Sequence, residues 1–233
     1  KYGELSTRND NTKAENEKLT IKNGMNHFSW NMQYPDAEKF DGMILWSGGT
    51  NGPYAPPGNY TVVLKFGNDS AAQNFRIKHL PNLESTESDI KQQFDFLIKC
   101  RNKLSEVHKA ISDIRGVKKI LNNLTEQNDS LLSEECKDSI QIALKELISI
   151  EEELYQTKSS SSQDPINFPI KLNDKLAGLM SVAEESESKP SVQSLELYNV
   201  LDKSIQIQLS RLSKVFEQTI PEINKMVRNL NIT

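Results

Sequence analysis

Apolar residues recur along this chain with two different periods, and the change between them falls near Pro81. Before it, Leu19 and Ile21, then Phe28, Trp30 and Met32, alternate with polar residues, the period of a strand with one buried face. A shift of phase around Gly24 predicts a bulge or tight turn. Residues 43–46 are apolar without interruption, which predicts a strand buried on both sides. Tyr60, Val62, Leu64 and Phe66 alternate again, residues 67–70 carry turn chemistry, and Phe75 and Ile77 follow, so a hairpin is expected there. Residues 4–8 read as the end of a further strand, joined to the rest through the polar run 9–18.

From Thr86 onward the spacing is three and four. Thr86 and Asp89 form a capping pattern ahead of Ile90, Phe94, Leu97, Leu104, Val107, Ile111, Ile114, Leu121 and Leu124, which predicts a long amphipathic helix over 86–127. Such a helix spans roughly 60 Å, longer than a partner over 132–157, so a break is expected near Gly116. Ile140, Ala143, Leu147, Ile150 and Leu154 make the stripe of that partner. Residues 158–171 contain a run of serines and two prolines and form the main loop. Leu172, Leu176, Leu179 and Ala183 mark a third helix; Tyr198, Leu201, Ile205, Leu212, Phe216, Ile223, Val227 and Leu230 mark a fourth, starting near Ser191 and kinked at Pro221. The expected fold is α+β in two domains: an antiparallel β-sandwich over 1–80, its first strand truncated, and an up-down bundle of about four long helices over 81–233.

Charge sharpens this division. The net charge is zero before residue 86 and -4 after it, so the acidity belongs to the helices. No basic face exists to displace counterions from phosphate, and nucleic acid is not an expected partner. No apolar run approaches the ~18 residues of a membrane span. The chain starts Lys1-Tyr2-Gly3, without a charged leader and apolar core, and is read as an internal fragment of a longer protein.

Candidate chemistry is sparse. His27, His79 and His108 lie far apart with no second ligand at metal spacing, so no metal site is expected. The Gly-rich run 48–52 precedes Pro53 and lacks the Lys-Ser/Thr ending of a phosphate loop. Acidic neighbours such as Glu184 and Glu185 fit a solvated helix face, and no catalytic residues and no cofactor are assigned. Cys100 and Cys136 would stand roughly 35 Å apart along a helical hairpin, so two free thiols and no disulfide are expected. Among the aromatics, Phe28, Trp30, Tyr60 and Phe66 share strand phases with Leu64 and read as core. Tyr34, Phe40, Trp46 and Tyr54, in or beside Pro- and Gly-containing loops, are the candidate binding residues.

The stretch from Phe28-Ser29-Trp30-Asn31 through Gly48-Gly49-Thr50-Asn51-Gly52-Pro53, followed by Pro57-Gly58-Asn59-Tyr60-Thr61-Val62, resembles the region after the β-propeller in bacterial sortilin-like proteins with BNR or Asp-box repeats, common in Bacteroidetes. Glu151-Glu152-Glu153-Leu154-Tyr155 and Asp164-Pro165-Ile166-Asn167-Phe168-Pro169 resemble that family's tail. The earlier portion is also similar to the immunoglobulin-like domain of flagellar hook-capping proteins. The resemblance implies an immunoglobulin-like sandwich, export to the periplasm, cell surface or medium, and a propeller N-terminal to this chain. Many members are labelled glycosyl hydrolases, yet the Asp-box signature is absent here. The expectation is a non-catalytic interaction or structural accessory module. Its partners would be the propeller of the same parent chain and a protein, or a second copy, on the bundle. The alternative is a carbohydrate-binding module, or the end of a glycosyl hydrolase whose active site lies elsewhere.

Overall fold

The structure, a computed structural model, describes residues 2–5, 17–20 and 22–229. It is mixed: antiparallel strands precede a set of long helices. β1 (Tyr2–Leu5) pairs with β2 (Glu17–Thr20), and β3 (Gly58–Phe66) pairs with β4 (Asp69–Ile77), giving two separate two-stranded sheets. The helices are α1 (Glu87–Asn128), α2 (Glu134–Leu154), α3 (Leu172–Glu184), α4 (Val192–Lys214) and α5 (Ile220–Asn229).

A full immunoglobulin-like sandwich is not shown among the described residues. The expected hairpin is present, turning at Gly67, whose φ of 58° suits a residue without a Cβ. Of the strand expected at 4–8, Glu4 and Leu5 fall in β1, while residues 6–8 lie outside the described residues, as does Ile21. The alternating run 28–32 and the apolar run 43–46 are not strands. Among the described residues, the ladder contact made between residues 22 and 57 is one antiparallel bridge, Gln33 to Tyr54. Two backbone reversals, Met32 at φ 62° and Gly42 at φ 71°, bound the intervening segment. Its apolar residues find helices instead of a sheet partner: Ala37 and Phe40 belong to the helical core, with Met43 and Leu45 packed against it.

α1 starts as its sequence dictates. Thr86 Oγ1 accepts from Asp89 N at 3.2 Å and Asp89 Oδ2 accepts from Thr86 N at 3.0 Å, a complete capping box. The expected break at Gly116 does not occur. Gly116 is exposed with open space around its Cα, so its cost is only the ~1 kcal/mol of a helical glycine, too little to outweigh the core on either side. Running unbroken for 42 residues, α1 packs against α2, α3 and α4. Leu104, Ile111 and Ile114 of α1 meet Ile140, Leu147, Ile150 and Leu154 of α2, Leu176 of α3 and Ile205 of α4 in one core cluster.

Ser133 and Ser191 cap α2 and α4 through bonds from Cys136 N and Ser194 N. Where a kink is expected at Pro221, the helix carries a π turn over Val215–Thr219 that ends with Ile220 N bonded to Val215 O. Pro221 has no N–H to give back to the preceding turn, and widening that turn accommodates the loss.

Cys100 and Cys136 are free and buried in the core. Burial pushes the Cys100 thiol up to about 12, and it also raises Cys136, with the Glu135 charge adding to the effect. The thiolate is the reactive form. Both thiols are therefore expected to label with a maleimide at neutral pH only after denaturation; rapid labelling of either in the folded chain would place it outside the core.

Candidate functional site

Residues 33–55 form a strap laid over the helices, and it is built from its own side chains and backbone. Tyr34 N donates to Pro53 O at 2.9 Å and Ala37 N to Thr50 O at 2.7 Å, while Asp36 Oδ1 accepts from Gly52 N at 3.2 Å. The segment thereby folds back on itself as a narrow double layer. Gly52 sits where a Cβ would lie 1.9 Å from Tyr34 O, so only glycine permits this closure.

The helices grip the strap along its length. Glu38 N donates to Ser105 Oγ on α1 at 3.0 Å, and its carbonyl accepts from Nδ1 of His108, which is 1% exposed. Phe40 presents its ring to the edges of His108 and Tyr155, with centroids at 5.3 and 5.0 Å. Arg115 lies over Phe40 and Tyr155, donates to Asp41 O at 3.0 Å and pairs with Glu151 at 2.7 Å; Lys118 reaches the other Glu151 oxygen at 2.8 Å. This places a buried carboxylate between two cations, the condition under which burial is tolerable. Tyr155 Oη accepts from Ile44 N and donates to Gly42 O.

At the far end, Asp174 near the start of α3 accepts from Trp46 N and Ser47 N at 2.8 to 3.1 Å. Gly48 and Gly178 let the two backbones touch: a Cβ on Gly48 would stand 2.2 Å from Ala177 O.

The β3–β4 hairpin presents a different surface. Trp30 packs on Tyr60 and Phe75 at 6.1 and 6.3 Å, and its Nε1 donates to Gln33 O. Tyr60 Oη donates to Pro56 O; burial, helped by neighbouring Tyr34, raises its pKa to about 12. Beyond this aromatic base the same face of β3 is more exposed. Val62, Leu64 and Phe66 are 51, 60 and 55% exposed. The residues expected to form a sandwich core are thus half-covered at Trp30 and Tyr60 and open further along.

The four candidate binding residues divide. Phe40 is buried core and Tyr34 is half-buried, its ring 4.8 Å from that of Phe94. Trp46 and Tyr54 are 44 and 58% exposed. Phe40 is corrected from surface to core, because the strap carries its ring into the helices instead of displaying it in a loop. His108, Arg115, Glu151, Tyr155 and Asp174, the groups that hold the strap, were not singled out from the sequence. Their signal is periodicity: His108 and Arg115 continue the stripe of Leu104 and Ile111, and Glu151 falls between Leu147 and Leu154 at helical spacing.

Two shallow depressions occur away from the strap anchors. One of about 340 Å³ lies between α2 and the π turn, lined by Ile142, Ala143, Glu146 and Val215. Another of about 580 Å³ lies on the hairpin beside Asn59, Thr61, Asn74 and Arg76. Among the described residues no cluster of three or more His, Cys, Asp and Glu could hold a metal, and no helix is long and apolar enough to cross a membrane. No family model, curated protein or solved structure matches the chain.

Proposed function

We propose that this chain is a non-catalytic accessory module of a larger exported β-propeller protein. Its helices and strap form a rigid base, and its β part docks the remainder of the parent chain. The single observation that carries this reading is the exposure of Val62 and Leu64 on one face of β3. A two-stranded hairpin is marginal alone and gains stability from further strands or a packed face; among the described residues no third strand is hydrogen-bonded to β3 or β4, and Val62 and Leu64 stay more than half exposed. Contiguous exposed apolar surface of this kind marks interaction sites in folded proteins. On this reading the two hairpins contribute strands to an immunoglobulin-like sandwich that is completed in the assembled parent. The groups binding the strap are structural, and no catalytic role is assigned to them.

The test is amide hydrogen exchange on the chain alone and with the separately purified propeller added. Slower exchange in β3 and β4 on addition is the expected result; unchanged exchange there would overturn the reading. A carbohydrate-binding role is the second reading, favoured by the exposure of Trp46 and Tyr54. A saturable polysaccharide-induced fluorescence change, lost in Trp46→Ala, would establish that role in place of the first.

A further inference from the structure

We propose that His108 is a pH-operated latch, holding the strap on the helices when its ring is neutral and releasing it when the ring is protonated. The bonding around the ring fixes its state. Nδ1 faces the Glu38 carbonyl, which can only accept, so Nδ1 carries the proton. Nε2 faces the Asn173 side-chain nitrogen at 3.4 Å, which can only donate, so Nε2 is the acceptor. A second proton would go on Nε2, setting N–H against N–H inside a site where His108 and Asn173 are each 1% exposed.

Among the described residues packed around the ring, no counter-charge is placed to receive that proton's charge. On the strap, the Glu38 side chain is exposed and the residue meets the ring through its carbonyl. Asp36, also on the strap, is bonded to Gly52 N and Lys39, and Asp41 contributes its carbonyl to Arg115. On α3, the Asp174 carboxylate is held by Trp46 N and Ser47 N. On α2, Glu151 is taken by Arg115 and Lys118. On α1 itself, Arg115 lies over the Phe40 ring that packs edge-on against His108, and the buried Arg101 lies two turns before it, so the charges that α1 adds to this face are cations. Rotating the Asn173 amide would offer its oxygen, which is buried without a partner. The imidazolium would still be desolvated with only neutral ligands.

Burial accordingly lowers the His108 pKa, against the opposing effect of the Glu38 bond. The sign follows. A histidine whose pKa is depressed in the closed form stabilises that form fully above its free value near 6.5, and the contribution is lost as pH falls below it. Opening the strap hydrates the ring at once, since Glu38 and Phe40, two of its neighbours, belong to the strap. The released segment bonds to α1, α2 and α3 and leads into the β3–β4 hairpin, which meets α1 separately through Arg76 and Glu87, so the latch sets how firmly the β part is held to the helices.

The experiment is hydrogen exchange of the strap amides, Ala37, Trp46 and Ser47 above all, at pH 7.5 and 5.0, corrected for the intrinsic pH dependence of exchange. One proton taken up on opening raises the opening constant by up to about 30-fold across this interval. His108→Gln, which bonds but does not titrate, is expected to abolish the response, and Asn173→Asp, which supplies a carboxylate to the imidazolium, to reverse it. Equal protection at both pH values in the unmodified chain, or a pH response persisting in His108→Gln, overturns the proposal. The His108 ring protons give an independent reading in the unmodified chain. Titration at the free value near 6.5, with the strap closed throughout, refutes the latch, and titration displaced to lower pH supports it.

Discussion

Replacing Phe40 with alanine is expected to destabilise the helical core by about 3–5 kcal/mol, although Phe40 lies outside every helix. The ring is 8% exposed and fills a space bounded by His108, Tyr155 and the Arg115 guanidinium. Its removal leaves a cavity among groups that cannot collapse freely, because Arg115 is held by Glu151 and Tyr155 by two strap backbone groups. Arg115 loses its aromatic face as well, a contact of about 0.5–1 kcal/mol or more when shielded from water. Chemical denaturation followed by helical circular dichroism measures the effect. A change below about 1 kcal/mol would make the strap an ornament on an independently stable bundle.

Gly48→Ala is expected to detach the far end of the strap and cost roughly 2–4 kcal/mol. The added methyl would meet Ala177 O at 2.2 Å and Gly178 N at 2.8 Å, backbone atoms of a packed helix with no rotamer through which to retreat. The strap must move, and with it go the two backbone bonds to Asp174, each charge-assisted and worth about 1.5–3 kcal/mol. The magnitude stays below their full sum because Asp174 regains water. Loss of exchange protection at Trp46 and Ser47, with the α3 amides retained, is the expected signature. Retained protection at both residues would show that the interface relaxes around the methyl.

The helical half was legible because its signals are local. Thr86 with Asp89, Ser191 beside Pro190, and apolar stripes at three-and-four spacing each act within a turn or two of their own position. Gly116 was misread because a glycine breaks a helix only when the surroundings allow it, and whether it faces solvent or a partner is set by residues far away. The strap was illegible for a deeper reason. Residues 43–46 carry an apolar run that suits a central strand, and the same pattern suits an extended segment laid across helices. Pairing depends on what lies alongside, which local spacing does not record. Phe40 and Tyr54 both sit near Gly and Pro and read alike as surface candidates; the structure turns one inward and leaves the other exposed. His108 sits on the apolar stripe of α1, but nothing in a single histidine reveals that a strap carbonyl 70 positions earlier faces it.

That separation along the chain also orders events in time. The bonds joining strap to helices link residues 67, 70, 74, 111 and 128 positions apart, and α1 meets α3 and α4 across comparable separations, whereas the caps and backbone bonds within each helix are local. Closing loops of that length precedes any reward from the contacts they bring, so long-range pairings form late. Each helix can therefore form on its own local bonds before either the strap or the distant helix contacts close. Interactions made after the rate-limiting step govern how fast a protein comes apart and have little effect on how fast it forms. If the grip on residues 33–55 closes after that step, it is a kinetic clasp, and Phe40→Ala and Gly48→Ala are expected to speed unfolding while leaving the refolding rate nearly unchanged, which stopped-flow measurement of both rates checks.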